Sequence, residues 1–376
     1  MIQFYILQSL IIGFVIVTYA IPRIIYISNQ KKLFDVPNER SAAKVITPTL
    51  GGVGIFAGFY ISLSITLNNL NNQNLTCLLL ASLVMFMVGL KDDLIGLSAR
   101  RKLAFQLLTA GYLIFMSGVR ITHLHGVLGI EELDVLSSSM VTLFTIVGIV
   151  NAYNLIDGID GLASGLGILI SITFGSLFIR AGHLEYAIVA FSLTGSLTAF
   201  FFFNVFGRTN KIFMGDTGSL TLGTIFAFLT IKYLGLPDGP RHIIGSPAIA
   251  LAIMIVPVID TLRVMTIRIA QRRSPFSPDM NHIHHQLLRI NKGIHLHSSL
   301  IIIVANFTFI IFAVSFAELV SRNVMFFIIL GAGFATAYVP VLVNKQDTDY
   351  VKENGKLKVI HMNTDTQVKE SKVAER

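Results

Sequence analysis

Charge is scarce in this sequence: 13% of its 376 residues are Asp, Glu, Lys or Arg, where a soluble domain carries roughly 25%. With 53% apolar residues and a mean hydropathy of +0.71, there is too little polar surface to clothe a water-soluble core. This argues against a cytosolic enzyme, a disordered chain and a fibrous protein, and leaves the bilayer as the natural solvent. Cysteine occurs once, at Cys77, so neither a disulfide framework nor a thiolate zinc site can form. In its apolar run Cys77 is expected to pack. The Walker pattern, GxxxxGK followed by Ser or Thr, is absent, which argues against ATP coupling.

What the sequence has in quantity is long apolar runs. A spanning helix needs about 20 mostly apolar residues, and eleven stretches qualify or nearly do: 4–22, 50–67, 75–90, 103–119, 138–155, 162–179, 186–205, 218–236, 245–265, 300–319 and 324–343. They do not alternate apolar and polar as barrel strands do. The expected fold is therefore an all-α integral membrane protein, a polytopic bundle of about eleven helices. Gly52, Gly54 and Gly58 open the second stretch and fit helix packing through small residues better than a dinucleotide site. Basic residues sort onto alternate loops, 24 of the 29 on one side. The positive-inside rule makes that side cytoplasmic, with the N-terminus outside and the C-terminus inside. No aromatic-interleaved basic module exists, so nucleic acid is not an expected partner. Residues 344–376 mix 7 basic with 6 acidic residues and read as a polar cytoplasmic tail behind a membrane domain of residues 1–343.

An ionised side chain at membrane depth costs at least about 2.5–3.5 kcal/mol, so acids kept there mark function. Six fall at the expected cytoplasmic ends: Asp92, Asp93, Asp157, Asp160, Asp216 and Asp260. Asp92 and Asp93 are adjacent on one helix, about 100° apart, and would not converge on one ion by themselves. In NAYNLIDGIDGLASG (151–165) the i, i+3 spacing sets Asp157 and Asp160 on one face if helical, and glycines allow backbone to approach a ligand. Asp216, in FMGDTGS, is either a simple N-cap or a ligand for Mg²⁺, a hard cation that takes carboxylate, phosphate and water oxygens. RRSPFSPDMNHIHHQLLR (272–289) brings His282, His284 and His285 among arginines. Without Cys or HExxH, that set fits anionic phosphate better than zinc. Together these groups suit Mg²⁺-assisted phosphoryl chemistry between a water-soluble diphosphate and a lipid phosphate.

The motifs TPTLGG (47–52), KDD (91–93), GLSARRK (96–102), NAYNLIDGIDGLASG, FMGDTGSL, PVIDT (257–261) and the HIHH loop run in order from 47 to 285. In that combination the chain resembles the polyprenyl-phosphate N-acetylhexosamine-1-phosphate transferases. The resemblance implies transfer of a sugar-1-phosphate from a UDP-sugar to undecaprenyl phosphate at the cytoplasmic face of the bacterial inner membrane, using Mg²⁺ with Mn²⁺ as a substitute. It implies that Asp216 ligates the metal and that Asp92 and Asp93 activate the lipid phosphate or assist the metal. Asp157 and Asp160 join them in the catalytic set. Asn154 and Asp157 with Phe213 correspond to a uridine site, Lys44, Thr49 and Lys102 to the phosphate cleft, and His282, His284 and His285 to a loop over the donor sugar. A homodimer is common among such proteins.

HIHH followed by Gln286 differs from the three consecutive histidines and Phe-Glu of the muramyl-pentapeptide branch. It points to UDP-GlcNAc, with UMP as by-product, as the first step of a lipid-linked cell-surface polysaccharide. UDP-MurNAc-pentapeptide or another UDP-N-acetylhexosamine stays open as donor. A secondary transporter is the reading from another class, and it would place acids at the midplane of paired broken helices in two related halves.

Overall fold

In the computed structural model, residues 2–35, 47–67, 72–237, 245–274, 281–346, 350–353 and 356–359 are described. Among these residues thirteen α-helices follow one another: α1 (Ile2–Lys31), α2 (Gly51–Thr66), α3 (Gln73–Ile95), α4 (Ala99–Ser117), α5 (Val135–Ile156), α6 (Leu162–Arg180), α7 (Leu184–Phe206), α8 (Gly215–Leu234), α9 (Pro247–Ile253), α10 (Ile255–Ala270), α11 (Ile283–Ile290), α12 (His295–Ser315) and α13 (Arg322–Gln346). Two antiparallel strand pairs complete them: β1 (Phe34–Asp35) with β2 (Thr47–Pro48), and β3 (Tyr350–Glu353) with β4 (Lys356–Val359). The last pair lies in the tail, where polarity alone gave no reason to expect strands.

Ten of the eleven apolar stretches each coincide with one helix, and the ninth is divided. Among the described residues eight helices are long and apolar enough to cross a membrane, or nine if α9 and α10 form one span. The 16-residue α2 and α4, which opens Ala99-Arg100-Arg101-Lys102, fall outside that measure. The third stretch, expected to end near residue 90, continues to Ile95 and carries Asp92 and Asp93 in its last turns.

The ninth stretch, expected as one helix over 245–265, is two helices bent by 80°. Pro257 has no N–H to donate to the carbonyl of Ile253, four residues back, so the helix breaks there. Asn306 of α12 meets the freed groups: its Nδ2 donates to Ala252 O (3.4 Å) and Ile253 O (3.2 Å), and its Oδ1 accepts from Val256 N (3.4 Å). Asn306 is fully buried, as irregular backbone at membrane depth must be.

α8 is the axis of the bundle, with 94% of its apolar window buried and α2, α3 and α5 packed around it. Lipid tails are as apolar as leucine, so helices associate through close contact and interhelical hydrogen bonds. A Cβ on Gly52 would lie 2.1 Å from Gly218 N, and one on Gly89 would lie 2.4 Å from Asp216 O. These two glycines therefore let α2 and α3 touch the first turn of α8. Farther along, Ser62 Oγ donates to Ser9 O at 2.5 Å and lies 3.2 Å from Ser192 Oγ, tying α1, α2 and α7. Cys77 is buried at 5% exposure.

Candidate active site

The first turn of α8 is built by its neighbours. Phe213 N donates to Pro48 O (2.8 Å), while Gly51 N and Gly52 N donate to Phe213 O (2.9 Å) and Met214 O (2.8 Å), lacing 48–52 to 213–214. Gly215 follows at φ +70°, and a Cβ there would strike Thr49 O at 2.3 Å. Thr49 is thus beside the site. The orphan N–H groups at the start of α8 are met from α3: Asp93 Oδ1 accepts from Asp216 N (2.8 Å), and Asp93 Oδ2 accepts from Thr217 N (2.9 Å) and Thr217 Oγ1 (2.5 Å). The capping role considered for Asp216 belongs to Asp93, which leaves the Asp216 carboxylate free to face elsewhere.

It faces α4 and α5. Lys102 Nζ donates to Asp216 Oδ2 at 2.7 Å and to Asp92 Oδ2 at 3.0 Å. Asn154 Nδ2 donates to Asp216 Oδ1 (3.0 Å) and Ser219 Oγ (2.7 Å). Asp92 Oδ1 accepts from Leu97 N at 2.6 Å, fixing the α3–α4 turn. The adjacent carboxylates therefore diverge, as 100° per residue requires, one to Lys102 and the other to the α8 backbone. All three acids are half-buried.

The expectation that Asp157 and Asp160 share a helical face is corrected. α5 ends at Ile156, α6 starts at Leu162, and Gly161 between them takes φ +78°. In this glycine turn Asp157 faces the acid cluster and accepts no hydrogen bond among the described residues. Burial, then the negative charges of Asp216, Asp93 and Asp160, push its carboxyl up to about 8. Asp160 turns away to Lys211 Nζ (2.6 Å) and His295 Nδ1 (2.8 Å). Burial alone would raise its pKa, but hydrogen bonds from His295 and Lys211 hold the carboxyl below the usual range. Lys211 Nζ also lies 5.7 Å from the Phe213 ring centre.

The histidine loop joins from the other side. Asp260, buried in α10, accepts at Oδ1 from Arg263 Nη2 (2.8 Å) and Ile283 N (3.0 Å), and at Oδ2 from His282 Nδ1 (2.9 Å). His282 is held with its Nε2 unengaged by that pair. His284 stacks on His282 (centroids 5.7 Å apart, 12° between planes) and lies 4.2 Å from the His285 ring. His284 also covers Gly158, where a Cβ would sit 2.3 Å from its Nε2. Burial, followed by the neighbouring His285, depresses His284 to about 3, so it is neutral.

Asp92, Asp93, Lys102, Asn154, Asp157, Thr49, Phe213 and Asp216 thus stand together around the start of α8, with His282, His284 and His285 brought to them across Gly158. Asp160 is at the edge, in its own ion pair. Lys44 lies outside the described residues. The sequence gives no sign of Lys211 or His295, and shows Arg263 only as one of several arginines near the histidine loop. Asp260 was noted there as an acid at membrane depth but not as a site residue, although the i, i+3 pair Asp260–Arg263 in PVIDTLR was a readable signal.

A helical membrane bundle whose one end gathers carboxylates around a lysine, with imidazoles and guanidinium groups beside them, belongs to the class of enzymes that handle phosphates at a lipid boundary. The glycosyl transferase family 4 model matches residues 75–234. Over 261 residues the chain is 32% identical to an undecaprenyl-phosphate alpha-N-acetylglucosaminyl 1-phosphate transferase of Yersinia pestis, covering 68% of this chain and 70% of that one. Over 303 residues it is 34% identical to a decaprenyl-phosphate N-acetylglucosaminephosphotransferase of Mycobacterium leprae, covering 74% and 75%. A relative in Escherichia coli O157:H7, bearing the same name as the Yersinia protein, is 29% identical over 267 residues, 70% and 71% of the two chains. This chain belongs to glycosyl transferase family 4, and it is a multi-pass membrane sugar-phosphate transferase.

Proposed function

We propose that the protein transfers N-acetylglucosamine-1-phosphate from UDP-N-acetylglucosamine to undecaprenyl phosphate. An oxygen of the acceptor phosphate attacks the β-phosphorus of the donor, the bond from that phosphorus to the bridging oxygen breaks, and UMP leaves. The observation that carries this reading is the Asp92–Lys102–Asp216 arrangement at one end of the bundle, in a chain 32–34% identical to transferases of those names. In this reading the working end faces the cytoplasm of the bacterial inner membrane, which the bias of 24 basic residues toward that side supports.

Each residue has a task in that step. Lys102 offers an ammonium to the donor diphosphate, and its two carboxylate partners hold it in place. Asn154 fixes the orientation of Asp216, and Asp93 fixes the turn that carries it. Phe213 offers a ring for uracil, and the histidine loop covers the sugar with neutral His284 packed on Gly158.

Mg²⁺ fits this donor set. Among the described residues no three carboxylates or imidazoles converge as a preformed metal cage, but Mg²⁺ is usually held by one or two carboxylates, with substrate phosphates and water completing the shell. Asp216 and Asp92 already share one cation, Lys102, and are the residues that would hold the metal. When bound it supplies positive charge to the diphosphate.

The test is purified protein with undecaprenyl phosphate, Mg²⁺ and labelled UDP-GlcNAc, with UDP-MurNAc-pentapeptide in parallel. Lipid-linked GlcNAc diphosphate and UMP are expected; UDP as product would refute phosphoryl transfer. Chelation should stop turnover, and Asp216→Asn should lower kcat at least 100-fold, about 2.7 kcal/mol of barrier.

A further inference from the structure

At the opposite end of the bundle lies a second polar cavity that the transfer reaction does not use. Its volume is about 280 Å³, and it is lined by the turn after α4 (Arg120, Thr122), the start of α7 (His183, Tyr186) and the end of α8 (Lys232). Lys232 is 16 residues beyond Asp216 on the same helix, which at 1.5 Å per residue sets it about 24 Å from the acid cluster.

Two cations and one acid, Glu185, stand around it. The Lys232 ammonium lies over the rings of Tyr186 (5.7 Å) and Phe228 (5.8 Å) but has no hydrogen bond or ion pair among the described residues. Arg120 likewise has none, although it is half-buried. The nearby acid, Glu185, is already engaged by His183 Nδ1 at 3.2 Å. The α7 N-terminus has no side-chain cap, but Glu185 in its first turn complements the positive end of its dipole, so the cavity's positive charge comes from Arg120 and Lys232. Lys232 is at the carbonyl end of α8 and Arg120 lies two residues past the C-cap of α4, so each gains from a helix dipole; what the dipoles do not supply is a counter-charge for two cations that line one cavity.

We propose that this cavity is an anion site for a phosphate group. Its size is below the roughly 300–1,000 Å³ of drug-sized pockets, suiting a headgroup phosphate better than a nucleotide. A guanidinium and an ammonium from two elements match a tetrahedral, multiply charged oxyanion. Phe115 and Met116 at the same end of α4 are 76% and 57% exposed, an apolar shoulder where a lipid carrying that phosphate could lay its chain. Lipid phosphate and free phosphate share this chemistry.

The experiment uses the full chain in nanodiscs, read by thermal unfolding with a fluorogenic maleimide that reports exposure of Cys77. Three conditions are compared: phosphatidylcholine alone, the same with inorganic phosphate, and discs containing phosphatidylglycerol. A ligand at about 100-fold its Kd should raise the unfolding midpoint by roughly 5 °C. The gain should vanish in Arg120→Gln/Lys232→Gln and persist in Arg120→Lys. A gain with phosphatidylglycerol alone identifies a lipid headgroup, and a gain with phosphate alone identifies a soluble anion. Transferase turnover, carried out about 24 Å away, should be retained in the double variant and certifies that it folds. No gain with either ligand, or the same gain in the double variant, overturns the proposal.

Discussion

Asp93→Asn separates two jobs that sequence alone assigned together to the KDD motif. In the structure the Asp93 carboxylate accepts three hydrogen bonds from the start of α8. The Asn amide keeps the shape but has one acceptor oxygen, so its NH₂ must face a donor. Thr217 Oγ1 can rotate to accept; a backbone N–H of Asp216 or Thr217 cannot. Leaving that N–H unpaired costs about 1–3 kcal/mol, and removing a negative charge from the helix N-terminus costs a further ~0.3–1 kcal/mol. The sum is about 1.5–4 kcal/mol, a fall in unfolding midpoint of roughly 3–8 °C, smaller per kcal/mol than in a short domain because the chain is long. Cys77, buried and the sole thiol, gives the readout through maleimide fluorescence. Asp92→Asn, whose carboxylate meets Lys102 and one turn amide, should lower kcat with a smaller fall in midpoint. If Asp93→Asn unfolds at the wild-type temperature yet loses turnover, Asp93 acts on substrate and the capping argument fails.

Gly158→Ala places a Cβ 2.3 Å from His284 Nε2, so the histidine loop must move; kcat should fall and stability drop by about 1–3 kcal/mol. His284→Ala makes room, so the double variant should recover midpoint relative to Gly158→Ala, a coupling that additive effects would not produce. Asp260→Ala removes the counter-charge of the fully buried Arg263, which keeps only the Asn281 carbonyl as acceptor, and frees His282, with an expected loss of about 3–5 kcal/mol; Asp260→Ala/Arg263→Met should restore part of it, and equal midpoints for the two variants would refute the pair's importance. His284 is held neutral, with a folded pKa of about 3 against about 6.5 unfolded. Below pH 6.5 the unfolded chain takes up a proton that the folded chain refuses, so stability is full above that value and declines as pH falls toward 3. At pH 5 the loss is about 2 kcal/mol, measurable by circular dichroism as a pH dependence that His284→Gln should lack.

The helices were legible because a continuous run of about 20 apolar residues in lipid satisfies its backbone as a helix, and ten of the eleven runs are each one helix. The divergence of Asp92 and Asp93 was legible too, since helical geometry fixes the angle between neighbours. Other features depend on which element comes alongside. Nothing local to KDD says that Asp93 will cap a helix 122 residues away, because a cap is ordinarily read from residues just before the helix, and Met214 there offers no side-chain cap. The break at Pro257 was half legible. Proline in a helix signals a lost hydrogen bond, but whether the chain kinks or divides depends on who receives the freed carbonyl, and that is Asn306, 49 positions on.

The same dependence hides in the sequence what Asp260 does for the site. A lone acid in an apolar helix can be a proton carrier, a ligand or an anchor, and the choice turns on partners that spacing does not show. The 80° bend at Met254 redirects α10 so that Asp260 meets His282 and the start of α11. Those contacts hold His284 against Gly158, in the turn that points Asp157 at Asp216. Asn306 is therefore tied to the active site through a series of contacts: the break it stabilises sets where Asp260 lies, and Asp260 sets where the histidines lie. Residues far from the chemistry in sequence, and carrying no charge, fix the geometry on which the charged residues act.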